Sequence, residues 1–137
     1  MILIIGCGRL GGSLAARLAA AGKEVVVLDH ERRNLDTNLP RAFPGQTVEG
    51  LEIDSAVLRR AGIERAEAVA AVARDESTNM MAADVARQIF RVPRVVVRID
   101  EPRMAALYMA NGFEVISPMV EGTLALERAL AKGERVS

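Results

Sequence analysis

Histidine and cysteine each occur once in 137 residues, so this sequence cannot assemble an intramolecular disulfide or a cysteine–histidine metal cluster. The single cysteine agrees with a reducing compartment. Tryptophan is absent and aromatic residues make up 3% of the chain. The core therefore has to come from Val, Ile, Leu and Ala, the composition of buried strands covered by small-residue helices. Charge of one sign is not in excess either: 18 basic residues, all arginine except Lys23 and Lys132, balance 18 acidic ones. No net field draws the protein to nucleic acid or to an anionic membrane surface. No apolar run approaches the roughly 20 residues of a membrane span. The apolar start Ile2–Ile5 has no basic segment before it and is interrupted by Gly6, Gly8, Arg9 and Arg17, which argues against a secretory signal. Length and composition predict one soluble cytoplasmic domain over residues 1–137, with no nucleic-acid partner and no direct membrane insertion.

What the sequence does have is concentrated in its first twenty-nine residues. An apolar strand, Met1-Ile2-Leu3-Ile4-Ile5, runs into the turn Gly6-Cys7-Gly8-Arg9-Leu10-Gly11, then a small-residue helix to about Ala21, then a second apolar run ending in Asp29. Each glycine has a separate task in such a turn. Gly6 permits the tight exit from the strand, Gly8 lets backbone approach a pyrophosphate, and Gly11 lets the helix pack closely on the strand. The phosphates would sit on the helix N-terminus, where unpaired N–H groups and the positive dipole end point outward. Asp29 stands near the offset of about 20 residues at which an acid accepts hydrogen bonds from a ribose. Cys7 reads as a small buried filler, with a reactive thiol as the alternative.

Strand and helix periodicities alternate from there. Glu24–Leu28 is a β-branched strand, and in the polar stretch from His30 to Leu39 and beyond, Pro40, Pro44 and Gly45 mark a loop or a poorly formed helix end. Thr47–Glu49 is a short strand, and Ser55–Ala61 a helix capped by Asp54 or Ser55 and closed by Gly62. Ala68–Ala73 is the fourth strand; the cap-forming Asp75-Glu76-Ser77-Thr78-Asn79 opens a helix to about Phe90. Arg94–Ile99 is the fifth strand, Pro102–Asn111 a helix, Glu114–Ile116 the sixth strand, and Pro118 begins a last helix that Gly133 should stop. The spacing predicts an α/β fold: a Rossmann-like doubly wound parallel sheet of about six strands in the order 3-2-1-4-5-6, with helices on both faces. Met104, Leu107 and Tyr108, with Ile89 and Phe90, are expected in the core.

A sheet of this kind binds ligands outside the carboxyl ends of its strands, where the strand order reverses. Those ends are Gly6–Gly11, Asp29 with His30, Gly50–Asp54, Ala73–Asn79, and Arg98 with Asp100. The candidate contacts drawn from them are Gly6, Cys7, Gly8, Arg9, Leu10, Gly11, Asp29, His30, Leu51, Asp54, Ala73, Asp75, Asn79 and Arg98. Several have a plainer reading. Asp29 could be a helix cap, and His30 a loop residue with no partner at catalytic spacing. Asp75 and Asn79 could cap a helix rather than sense a ligand, and Arg98 could pair with Asp75 or Asp100 rather than with a phosphate or partner. Arg32 and Arg33 leave a 2′-phosphate open, or form a solvated helix face. A catalytic constellation is missing from the sequence: there is no Ser/His/Asp set, no Cys/His cluster and no metal-ligand spacing. Binding without turnover follows.

With these motifs in place the chain resembles the nucleotide-binding RCK domain, also called KTN or TrkA-N, of Trk-type potassium uptake regulators and ligand-gated potassium channels. The resemblance runs from Ile2 to about Leu130. It rests on Gly6-Cys7-Gly8-Arg9-Leu10-Gly11-Gly12, Val26-Val27-Leu28-Asp29, Ser55 through Ile63, Ala66-Glu67-Ala68-Val69, Asp75 through Asn79, Val97-Arg98-Ile99 and Gly112 through Pro118. It implies a domain on the cytoplasmic side of an integral-membrane potassium transporter or channel, binding NAD(H) or ATP/ADP. It also implies a homodimer or larger ring that rearranges with its ligand, joined through the Ser117–Ala131 or Pro102–Asn111 helix. Where the family commonly carries Gly-Asp after the third strand, this chain has Gly50-Leu51, while Asp54 matches the second family aspartate. Two other readings are a fragment of an NAD-dependent oxidoreductase and an assembly domain whose pocket has lost its ligand.

Overall fold

Short strands that are apolar on both faces cannot leave either face to water, so each needs helices on both sides and parallel neighbours at its edges. The computed structural model describes residues 1–134 and shows that arrangement around the central strands of one sheet. In chain order the elements are β1 (Ile2–Ile5), α1 (Arg9–Ala20), β2 (Val25–Asp29), α2 (Arg32–Asn38), β3 (Gln46–Glu49) and α3 (Ser55–Arg60). They continue with β4 (Ala68–Ala71), α4 (Glu76–Asp84), β5 (Arg94–Arg98), α5 (Pro102–Ala110), β6 (Glu114–Ile116) and α6 (Pro118–Glu134). The six strands form one parallel sheet in the expected order, β3-β2-β1-β4-β5-β6. Strand order reverses between β1 and β4, which opens a crevice at their carboxyl ends.

Alternation along the strands divides the core in two. Leu3, Ile5, Val26, Leu28, Val69, Ala71 and Val97 face the side covered by α3, α4 and α5, where they meet Leu58, Ala82, Ala83, Ala86 and Phe113. Ile4, Val25, Val27 and Ala70 face the other side, against Ala15 of α1 and Leu35 of α2. Phe113 is the buried aromatic side chain of the first layer, with Phe90 and Tyr108 partly buried against it, and Phe43 is partly buried against the second.

The structure departs from the sequence pattern at four places. His30–Leu39 holds a regular helix, α2, because Leu35 supplies one buried apolar anchor in an otherwise polar segment. The helix expected to continue to Phe90 is α-helical only to Asp84; Val85–Ile89 is a π-helical turn, with Phe90 N–H donating to the Val85 carbonyl at 3.2 Å. That extra residue per turn rotates the following side chains: Ile89 lies exposed while Phe90 packs on the core, as do Met104 and Tyr108. Leu107, one position before Tyr108, is likewise exposed, so two members of the expected apolar stripe are surface residues. Finally, α6 runs through Gly133 to Glu134 instead of stopping. Glycine inside a helix costs only about 1 kcal/mol, and it terminates a helix where the chain must turn into the left-handed region.

Candidate functional site

The turn after β1 is built so that backbone, not side chains, faces the crevice. Gly6 has φ +99°, and a Cβ there would fall 2.4 Å from the Ala73 Cα. A Cβ on Gly11 would fall 1.9 Å from the Gly6 carbonyl oxygen, and one on Gly12 2.2 Å from that of Asn38. Gly8 differs from all three: a Cβ would meet nothing closer than the Arg74 Cγ at 3.4 Å. Gly8 is the N-cap of α1, no side chain caps that helix end, and no acid occupies its first turn. In contrast, Asp54 caps α3 and Glu101 caps α5. The amino end of α1 therefore presents unpaired N–H groups and a positive dipole end, the chemistry that receives an anion.

Asp29 fixes one side of this opening. The carboxylate is buried, 3% exposed. Its Oδ2 accepts from the Cys7 N–H at 2.7 Å, and its Oδ1 accepts from the Glu31 N–H at 2.8 Å and from Asn34 Nδ2 at 3.0 Å. Cys7 is enclosed behind it, its carbonyl accepting from Asn38 Nδ2 at 2.9 Å. Burial, with the nearby charge of Asp29, pushes the Cys7 thiol up to about 11, so it is a neutral filler and not a nucleophile. Next to Asp29, His30 Nδ1 lies 2.8 Å from Glu52 Oε2, which also accepts from the His30 N–H at 3.2 Å. The hydrogen bond to Glu52 raises the His30 pKa above its ordinary 6.5; slight burial opposes this, and the charges of Glu52, Asp29 and Glu31 reinforce it.

Two cavities meet at Gly8. One of about 320 Å³ is lined by Asp29, His30, Glu31, Asn34, Glu52, Ala73, Arg74, Asp75 and Thr78. The other, about 590 Å³, is lined by Arg9, Leu10, Asn34, Asn38, Arg74 and Arg98. Gly8, Asn34 and Arg74 belong to both. The result is a groove with an acidic arm that accepts hydrogen bonds and a basic arm that attracts anions, with the uncapped helix end where they join. A further hollow, of about 400 Å³, lies at the opposite end of the sheet, beside the carboxyl end of α1.

Most of the sequence-derived candidates surround this groove. Gly8, Arg9, Leu10, Asp29, His30, Ala73, Asp75 and Arg98 line it, while Gly6, Cys7 and Gly11 shape its floor from behind. Asn79 is fully occupied: its Oδ1 accepts from the Ala73 N–H at 2.7 Å, and its Nδ2 donates to the carbonyls of Ala73 at 2.8 Å and Arg98 at 3.2 Å. It ties the end of β4 to the end of β5. Asp75 begins α4 and accepts from Thr78 Oγ1 at 2.8 Å. Arg98 comes only to 4.0 Å from Asp100, whose Oδ1 is engaged by Ser117 Oγ at 2.7 Å. Leu51 and Asp54 are not among the groove's lining residues. Leu51 is 61% exposed, and Asp54 spends its carboxylate on the Ala56 and Val57 N–H groups. Arg32 pairs with Glu49 at 3.4 Å, away from the groove.

Sequence reasoning did not single out Glu52, Asn34, Asn38, Arg74 or Thr78. Glu52, Arg74 and Thr78 do fall inside the strand-end segments already marked, so position was the available signal. Asp29, His30 and Glu52 bring one ligand atom each within 4.8 Å of the others. Their existing hydrogen bonds order Glu52 against His30 without an ion. Among the described residues no helix is long and apolar enough to cross a membrane.

The TrkA-N domain family matches residues 2–118. The Trk system potassium uptake protein TrkA of Streptomyces coelicolor is 40% identical over 116 residues, covering 85% of this chain and 52% of the relative. This chain thus spans about half the length of that protein. Among solved structures, the RCK domain of GsuK aligns over 97% of this chain and 28% of its own, at 28% identity and a TM-score of 0.82. The GsuK channel bound to NAD and GsuK bound to ADP, each 28% identical, align with TM-scores of 0.79, over 97% and 94% of this chain and 23% and 33% of theirs.

Proposed function

The chain belongs to the TrkA-N family, and from that premise we propose that it is a nucleotide-binding regulatory domain, not an enzyme, that controls potassium transport. The observation that carries the reading is the uncapped amino end of α1 at Gly8, opening where an acidic and a basic arm of one groove meet. A nucleotide has that polarity: a nucleoside whose hydroxyls donate, and phosphates that need positive charge. The Gly6–Gly11 turn would hold the phosphates, Asp29 the ribose, and Arg9, Arg74 and Arg98 the remaining negative charge. NAD(H) is the leading ligand and ATP or ADP the alternative, in keeping with the NAD- and ADP-bound forms of GsuK. The acids around Asp29 disfavour a 2′-phosphate.

The regulated partner is an integral-membrane potassium transporter or channel, with this domain on its cytoplasmic side, in keeping with the Streptomyces relative. Regulation would run through a second copy. All of α6 from Met119 to Lys132 is exposed, and Val96 of β5 and Ile116 of β6 are only half-buried on the sheet face that α1 and α2 leave uncovered. Thermal melting with NAD, NADH, NADP, ATP and ADP tests the reading. A bound ligand at 100 times its dissociation constant adds about 2.7 kcal/mol, so a clear upward shift is expected for NAD(H) or an adenine nucleotide and little for NADP. A melting temperature unmoved by every member of the panel overturns it.

A further inference from the structure

Asp29 is the acid that should hold a ribose, yet the protein uses most of its capacity. A carboxylate offers about four acceptor positions. Cys7 N–H, Glu31 N–H and Asn34 Nδ2 take three of them, which leaves roughly one, on Oδ2. Holding both hydroxyls of a cis-diol needs two.

Glu52 stands where the second would have to be. It is one of three buried polar residues among those described, 6% exposed, and it lines the acidic arm together with Asp29. Both of its hydrogen bonds go to Oε2: the His30 N–H at 3.2 Å, and Nδ1 of the same residue at 2.8 Å. Oε1 receives no hydrogen bond among the described residues. Nor is it sealed in the core, because no fully buried side-chain oxygen among them lacks a partner. The carboxylate is held through one oxygen, while the other keeps accessible surface and no protein partner among the described residues, on a residue that lines the groove. Leu51, the preceding residue, is exposed and does not line the groove.

We propose that Glu52 is the second ribose acceptor of this site: a nucleotide's cis-diol is divided between Asp29 Oδ2 and Glu52 Oε1, with His30 as the positioning residue that aims Glu52. The proposal rests on the nucleotide reading above and adds to it the group that selects a ribonucleotide with both hydroxyls free. The carboxylate that the Gly50-Leu51 dipeptide lacks is thereby supplied one residue later, by a longer side chain.

Calorimetry with ADP, 2′-deoxy-ADP and 3′-deoxy-ADP on wild type and Glu52→Ala tests it. A hydrogen bond to a charged acceptor is worth about ten- to a hundred-fold in affinity, so Glu52→Ala is expected to weaken ADP by that factor. For one of the two deoxy analogues the variant and wild type should bind alike, because the hydroxyl that Glu52 would hold is missing. If wild type binds ADP and the variant binds it as tightly, or loses the same factor for ADP and both analogues, the proposal falls while the nucleotide reading stands. If wild type binds none of the ligands in this or the melting panel, the nucleotide reading itself falls, and Glu52 with it. Should Glu52→Ala fail to fold, Glu52→Gln keeps an acceptor for His30. The same comparison is then read on it, with a loss confined to ADP and one analogue expected and an equal loss for all three overturning the proposal.

Discussion

The glycines at the start of α1 do two different jobs, and single substitutions separate them. Gly11 is fixed by the protein: a Cβ 1.9 Å from the Gly6 carbonyl leaves no relaxation that spares the backbone, so Gly11→Ala should fail to fold or melt far below wild type. Gly8 meets only the flexible stem of Arg74. Gly8→Val should keep the circular dichroism and melting temperature of the free protein and lose nucleotide binding by calorimetry; undiminished affinity would move the phosphates elsewhere. His30 adds a pH dependence whose sign follows from its surroundings. Its pKa is raised in the folded state, by the hydrogen bond to Glu52 first. The stabilisation is therefore complete below about 6.5, the unfolded value, and fades as pH rises through the folded one. Half the imidazole is in water, so the effect is expected to stay under about 1 kcal/mol. Melting curves from pH 5.5 to 8.5 should show a small decline that His30→Gln abolishes; an equal slope in the variant would assign it to other groups. The glycine spacing and Asp29 were legible in the sequence because each is a local demand of one turn. Glu52 was not, since the hydrogen bonds that hold it come from His30, 22 residues earlier.

At the scale of elements, the joint between β4 and β5 shows how the crevice is held open. Asn79, in the first turn of α4, places its amide between two strand ends and makes three hydrogen bonds to backbone, while 1% exposed. Removing it leaves the Ala73 amide and carbonyl and the Arg98 carbonyl without that partner. Asn79→Ala should therefore cost about 2–3 kcal/mol in denaturant unfolding, from three bonds of roughly 1 kcal/mol each. It should also weaken nucleotide binding, since Ala73 and Arg98 both line the groove. A loss under about 0.5 kcal/mol would show that water replaces the amide. The strands were legible because β-branched and apolar runs bounded by turns have few other solutions in a chain of this length. The helix edges were less so. One buried leucine made α2, and the π-helical turn at Val85–Ile89 has no residue-level signature, only a shift in which side chains reach the core. Asn79 read as a cap or a ligand contact; only the fold puts it across two strands.

For the whole molecule, the unsolved balance is α6. On a helix of 3.6 residues per turn, Met119, Leu126 and Leu130 fall in one row, and Val120 with Leu124 in a second row about 120° round the helix; all five are at least 44% exposed. Its amino end is anchored, with Ser117 Oγ donating to Asp100 and accepting from the Val120 N–H at 3.2 Å, so the helix leaves the sheet in a set direction. An apolar row of that length on an anchored helix stays in water only at a cost of roughly 25 cal/mol per Å². A second copy related by a two-fold axis could cover it against the open β5–β6 face. Leu126→Glu/Leu130→Glu should then convert a dimer to a monomer in sedimentation, without the loss of a core contact, because neither side chain packs within its own chain. The same variant tests the switch. A ligand changes an assembly only if it binds its arrangements unequally, so if the groove reports to the dimer, nucleotide affinity should differ between the dimeric wild type and the monomeric variant. Wild type that stays monomeric at high concentration would remove α6 from the regulatory path. A dimer that survives both charges would do the same and leave the Pro102–Ala110 helix, with exposed Leu107 and Met109, as the surface to test next.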